Sequence, residues 1–273
     1  MCYICHMFGT GSQSHTEASG KNELPLIIAH RGARREAPEN TLPAIQRAIE
    51  IGSDGVEFDV LLTSDRVPVL GHNDDLSILT PHRGYVRATP FSAMRQMDVG
   101  SHFGPAFAGT NAPSLTDALE LVSRHEILTI VEIKAQPGMV TQAAQIVVEI
   151  ASRFKMRGPI LLSSSNLRIL HALARHHSTL PHALILRRHS FTFFPAKLFA
   201  KLLKLEALHP SLRVVNKRMV QAMHKQGCQV HAWTANEPRE LDLCLSLGVD
   251  GIITDDPVFA RQYLKRSARR RHG

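Results

Sequence analysis

The stretch Gly55-Val56-Glu57-Phe58-Asp59-Val60 is a short apolar run carrying two acids, and its surroundings decide the fold. Residues two apart in an extended chain share one face, so Glu57 and Asp59 project together. Runs of similar length precede and follow it: Leu26–Ala29, then Thr129–Ile133, Ile160–Leu162, Ala183–Leu186, Ala207–Leu208, Gln229–Trp233 and Gly251–Thr254. Amphipathic stretches lie between them, at Leu42–Ile51, Leu115–His125, Val140–Phe154, Asn166–His176, Ala196–Leu205, Asn216–Gln226 and Pro238–Leu247. Strands alternating with helices imply parallel pairing through right-handed crossovers. This pattern predicts a closed TIM (β/α)8 barrel, with an open doubly wound sheet as the alternative.

One segment departs from the rhythm. Val67–Leu70 follows Val60 after a turn through Ser64 and Asp65 that is too short for a parallel crossover, so it predicts a hairpin. From about residue 72 to 112 the chain is rich in Gly, Pro and His with little periodicity. Loops that long are uncommon unless functional. A small subdomain inserted after the second strand, above the barrel mouth, is expected. The barrel domain then spans residues 25–260, between a disordered leader (1–24) and a basic tail (261–273).

Composition narrows the function classes. With 44% hydrophobic and 21% charged residues among 273, the chain is globular in type, which excludes collagen-like repeats and wholesale disorder. No stretch approaches the roughly 18 apolar residues of a membrane-spanning helix. The first 24 residues lack the apolar core of a secretory signal, so a soluble cytoplasmic protein is expected. The net charge of +8 resembles a nucleic-acid footprint until it is located. Arg261–Gly273 holds six Lys or Arg and no acid; without it, 26 bases face 24 acids. The tail reads as a solvated, frayed terminus, and no specific nucleic-acid partner is expected. Cys2, Cys5 and His6 spell a haem-attachment motif, but the motif starts at residue two with no export signal before it, and it reads as part of the leader.

Chemistry concentrates at strand ends. The first strand ends in His30-Arg31-Gly32, the second carries Glu57 and Asp59, and the third carries Glu132 and Lys134. In a barrel these converge on the C-terminal rim, where catalysis occurs in this architecture. Three buried acids are costly unless something cancels their charge. A divalent cation does so, and all-oxygen ligation favours Mg²⁺ or Ca²⁺ over zinc. Each residue alone has a plainer explanation: an acid in a salt bridge, Lys134 neutralising Glu132, or His30 as a core histidine. Their recurrence at successive strand ends, with His72 after the extra run, argues for a site.

The motifs in order are His30-Arg31-Gly32, Pro38-Glu39-Asn40-Thr41, Glu57 and Asp59, His72, Pro113-Ser114-Leu115, Glu132-Ile133-Lys134, Trp233-Thr234-Ala235-Asn236 and Thr254-Asp255. This series resembles the glycerophosphodiester phosphodiesterases over about residues 26–258. The resemblance implies a TIM barrel with an insertion after the second strand, and metal-assisted hydrolysis of deacylated phospholipids to sn-glycerol 3-phosphate and an alcohol. It also implies Glu57, Asp59 and Glu132 as metal ligands and His30 and His72 as an acid–base pair. Arg31 and Lys134 would hold the phosphate, and Trp233 would form an apolar wall beside the small-molecule substrate. Glu39 and Asn40 would support the site from behind, although Asn40 or Thr41 alternatively caps the next helix. Two positions depart from the family pattern. Asn73 stands where the family usually has Asp, with Asp74 one place on, and Leu76–Thr80 lacks the usual Arg. Asn73 can still orient His72 by a hydrogen bond, but it removes a charge that would raise the imidazole pKa. Either the substrate's own hydroxyl, through a cyclic phosphate, or water is the nucleophile under this scheme.

Two other functions share these residues. One is a lysophospholipase D, for which Phe191, Phe193, Phe194 and Pro195, followed by Lys197, Lys201 and Lys204 on one helix face, would dock on a membrane. The same segment also reads as an ordinary outer helix of the barrel. The other is a non-catalytic anion-binding barrel, which would be expected to have lost at least one acid or histidine. Water-soluble diesters are the expected substrates. The sequence carries no signal for oligomeric state.

Overall fold

The computed structural model describes residues 24–175, 180–187, 198 and 200–272. Among them, nine strands form one sheet: β1 Leu26–His30, β2 Gly55–Leu62, β3 Pro68–Leu70, β4 Leu128–Ile133, β5 Ile160–Ser164, β6 His182–Leu186, β7 Ala207–Pro210, β8 Gln229–Trp233 and β9 Gly251–Thr254. Every strand but β3 is parallel to its neighbours, and β1 pairs with both β2 and β9, so the barrel closes. The expected barrel is therefore the observed one, and the open sheet is excluded. β3 runs antiparallel to β2, pairing Val60 with Leu70, as a hairpin requires.

The register sets the height of each inward side chain. His30 stands beside Glu57, and Asp59 stands beside Glu132. Below them Ile28, Leu128, Ile130, Leu161, Ala183, Ala207 and Ile253 pack the barrel interior. The strands' outer faces share a larger core with the surrounding helices, which bury one apolar stripe each. Gly251 belongs to the interior fit. A Cβ there would lie 2.8 Å from the ring of His231, so only a bare backbone admits that imidazole.

Local chemistry starts the helices where the sequence places them. Thr41 caps Leu42–Glu50 by accepting from the Ala44 amide at 3.3 Å. Ser114 and Asp117 form a capping box on Leu115–Val122, and Asn216 caps Lys217–His224. Pro238–Leu247 ends at Gly248, whose φ of 71° is the left-handed stop that glycine adopts readily. Among the described residues of the segment before β7, Ala200, Leu203 and Leu205 are buried, but Leu198 and Leu202 are exposed beside Lys201 and Lys204, so its outer face is partly apolar. Phe191, Phe193, Phe194, Pro195 and Lys197 lie outside the described residues, as do Cys2, Cys5 and His6 and the leader as a whole.

The insertion has a core of its own. Short helical turns at Leu76–Ile78, Val86–Ala88, Phe91–Met94 and Pro105–Phe107 are joined by isolated bridges rather than by long elements. Leu61 and Val69 of the hairpin pack with Leu76, Val86, Met94 and Ala112, which ties the insertion to β2 and β3.

The C-terminal expectation needs correction. A helix runs from Pro257 to His272, so the segment read as a frayed tail is helical almost to its end. Ala260 and Leu264, four apart on one face, are buried, and Arg261 donates to the Gly52 carbonyl at 2.6 Å and to Asp54 Oδ2 at 3.1 Å. The basic side chains obscured a short apolar stripe, which anchors the helix beneath the barrel. No helix among the described residues is long and apolar enough to cross a membrane.

Candidate active site

Three carboxylates meet at the upper rim of β2 and β4. Glu57, Asp59 and Glu132 are all buried, and each offers an oxygen within 4.8 Å of the others. Cations surround them. Arg31 Nε lies 3.2 Å from Asp59 Oδ2, and Arg187 Nη2 lies 2.9 Å from Glu132 Oε1. Lys134 Nζ forms ion pairs with both Asp59 Oδ1 and Glu132 Oε1, 2.7 Å from each. It acts as a point charge wedged between two acids.

The charges divide unevenly. Burial, then the neighbouring Asp59 and Glu132, push the Glu57 carboxyl well above the usual range. Burial also raises Glu132, opposed by Lys134. Asp59 goes the other way: Lys134, Arg31 and His72 outweigh its burial and hold it well below the ordinary value. One acid is thus firmly ionised, while Glu57 resists ionisation until another positive charge arrives. Three oxygen donors of this kind, with a cation already lodged between two of them, fit a divalent metal such as Mg²⁺ or Ca²⁺.

The two histidines face the same pocket, which His30, Arg31, Glu57, His72, Glu132, Ser163, Arg187 and Trp233 help to line. His30 Nδ1 lies 2.6 Å from Asp255 Oδ1, and Asp255 Oδ2 in turn accepts from Asn236 Nδ2 at 2.8 Å. Although burial raises Asp255, its bond to His30, that ring's charge, Arg34 and Asn236 bring the carboxyl down to about 2. An anion therefore holds Nδ1, and Nε2 is the ring nitrogen left for a reacting group. His72 Nδ1 lies 3.2 Å from Asn73 Oδ1. An amide oxygen only accepts, so this contact favours the tautomer with the proton on Nδ1 and the lone pair on Nε2. Burial, opposed by Asp59, brings His72 down to about 4, so it is neutral near pH 7.

Backbone shape puts these groups in place. Arg31 and Asn40 both have φ of 57°, and Gly32 has φ of 79° with Ala44 atoms 2.6 Å from where a Cβ would be. Arg31 can therefore turn back over β2. Its amide donates to Glu57 Oε2 at 3.0 Å and its guanidinium to Glu39 Oε1 at 2.7 Å. Asn40 leaves helix capping to Thr41. It donates to Asp59 Oδ2 at 3.0 Å and accepts from the Asp59 amide at 2.9 Å, which fixes that carboxylate.

Every site residue expected from the sequence is in or against this pocket, but several neighbours were not foreseen. Asp255 and Asn236 appeared only as motif letters, without roles. Arg34, which pairs with Glu39, and Arg187, at the end of β6, carried no signal. Ser163 is fully buried beside Glu132 in the register, and its hydroxyl has no partner among the described residues, which leaves it to a ligand. Asp74 turns away from His72 to pair with Arg87 and to accept from Gln136 Nε2 at 3.0 Å, bracing the insertion instead. Trp233 is pinned by donating Nε1–H to the His209 carbonyl at 2.8 Å.

Comparison with known proteins agrees with the geometry. Residues 30–258 match the Glycerophosphoryl diester phosphodiesterase family. A glycerophosphodiester phosphodiesterase of Caldanaerobacter subterraneus is 30% identical over 235 residues, covering 85% of this chain and 94% of the relative. One from Bacillus altitudinis is 29% identical over 237 residues, covering 86% and 96%. Among solved structures, an Oleispira antarctica phosphodiesterase in complex with the product sn-glycerol-3-phosphate superimposes with a TM-score of 0.82 at 27% identity. That match covers 89% of this chain and 97% of the other.

Proposed function

This chain belongs to the glycerophosphoryl diester phosphodiesterase family and is a phosphoric diester hydrolase, and we propose that it cleaves water-soluble glycerophosphodiesters to sn-glycerol 3-phosphate and an alcohol. The observation that carries this reading is the single pocket bordered by both imidazoles and the acid cluster.

Glu57, Asp59 and Glu132 would hold a divalent cation, Mg²⁺ or Ca²⁺. Such a cation would supply Lewis-acid stabilisation of charge on the phosphate's nonbridging oxygens. Arg31 and Lys134 add to that neutralisation, and Trp233 bounds the substrate on an apolar side. His72, neutral and with its Nε2 lone pair exposed by the Asn73 contact, takes the proton of the attacking hydroxyl. His30 in its imidazolium form, steadied by Asp255, gives a proton from Nε2 to the departing alkoxide. A substrate hydroxyl and water both satisfy this arrangement as nucleophile, the first with the advantage of proximity.

The raised pKa of Glu57 has a measurable consequence. Metal ligands must be ionised, so cation binding should expel a proton from the apo protein. Affinity should then climb as pH rises through the elevated Glu57 value. Calorimetry in two buffers of different ionisation enthalpy should report proton release; identical heats would mean that Glu57 is already ionised without metal.

Substrate choice is tested by measuring products from glycerophosphoethanolamine and lysophosphatidylcholine side by side. Faster release of sn-glycerol 3-phosphate from the diester is expected. Faster turnover of the lysolipid would replace this reading with a lysophospholipase D.

A further inference from the structure

A second concavity adjoins the acid pocket at the barrel rim. Arg187, Ser211, Arg213, Trp233, Thr234 and Glu240 border it, and Arg187 and Trp233 border both spaces. The two spaces share a wall at these two residues, which gives a group attached to a phosphate above the acids a path into the groove.

Two arginines and one acid border the groove among the described residues; Arg187 is paired with Glu132, so the unpaired positive charge rests on Arg213. Arg187 is roughly half exposed, with its Cζ 6.0 Å from the centroid of the Trp233 ring. Arg213 is exposed and forms no ion pair among the described residues. The one acid among the described residues bordering the groove, Glu240, accepts at Oε2 from the amides of Asn236 at 2.7 Å and Glu237 at 3.0 Å. Those amides open the helix Pro238–Leu247, whose N-terminal dipole offsets the carboxylate. Trp233 would otherwise be a good platform for a quaternary ammonium, since a cation is drawn to the face of an indole. Here the Arg187 guanidinium already stands on that side of the ring, 6.0 Å from its centroid. A cationic headgroup would have to displace Arg187 or lie between two arginines.

We propose that this groove receives the alcohol portion of the substrate and selects hydroxyl-rich, uncharged or anionic alcohols over quaternary ammonium alcohols. The inference rests on the hydrolase reading above and narrows its substrate class. The guanidinium groups donate to hydroxyl or anionic oxygens, and Thr234 adds a hydroxyl at the wall.

The test compares kcat/KM for glycerophosphoinositol and glycerophosphocholine with saturating Mg²⁺ at low ionic strength. The inositol diester should be preferred about fivefold or more, the scale of one poorly screened charge contact. Arg213→Glu, an exposed change outside the lining of the acid pocket, should shrink or invert that ratio, and Arg213→Lys should retain it. Equal kcat/KM for both diesters, or a ratio indifferent to Arg213→Glu, would overturn the groove assignment while the hydrolase reading stands. Hydrolysis of neither diester would overturn both.

Discussion

Replacing His30 or His72 with Ala should lower kcat by about 10²–10⁴-fold, the range of a lost general acid or base. The double variant should lose less than the product of the two singles, because both groups serve one step. Their supports differ, so the pH profiles should differ too. His72 must be neutral to accept a proton, and burial brings it to about 4, so the acidic limb should rise with pH through that region. Removing His72 should erase that limb, and removing His30 should lower kcat while leaving it in place. A single variant with near-normal kcat would move that histidine to a structural role.

The second large effect belongs to the acid cluster. Glu57→Gln keeps an oxygen that can accept the Arg31 amide now bonded at 3.0 Å, so the loop over β2 should survive. Metal affinity should nonetheless fall by about 10²-fold or more, beyond the loss typical of disturbing an outer partner. Turnover should fall with it and recover in part at high metal concentration. Asp59→Asn is the harsher change. It strips the buried anion facing Arg31 and Lys134, and uncompensated buried charge costs about 3–5 kcal/mol. A folded Glu57→Gln protein that binds Mg²⁺ and Ca²⁺ as tightly as the parent would remove Glu57 from the ligand set.

Much of this site was legible because strands report faces directly. Glu57 and Asp59 are two apart, and Glu132 occupies the same face of the adjacent β4, so a period of two places all three before any packing is known. The insertion was visible only as a loss of periodicity, since its order comes from tertiary contacts among scattered residues such as Leu76, Val86 and Met94. Asp255 was harder still: it meets His30 across 225 positions of chain, through closure of the barrel between β1 and β9. Arg187 sits at a strand end like the acids, but a lone arginine there has no distinguishing pattern. In the C-terminal helix the charge density hides the periodicity, and the i, i+4 pair of Ala260 and Leu264 is the signal that marks it.

The central claim is that this acid cluster and its two imidazoles perform metal-dependent diester hydrolysis. Its most direct test is the release of sn-glycerol 3-phosphate from a glycerophosphodiester by protein stripped with chelator, then resupplied with Mg²⁺ or Ca²⁺. Stripped protein should be inactive and should regain turnover on addition of either cation in proportion to occupancy. Full turnover in excess EDTA, with no metal found by elemental analysis, would contradict the account.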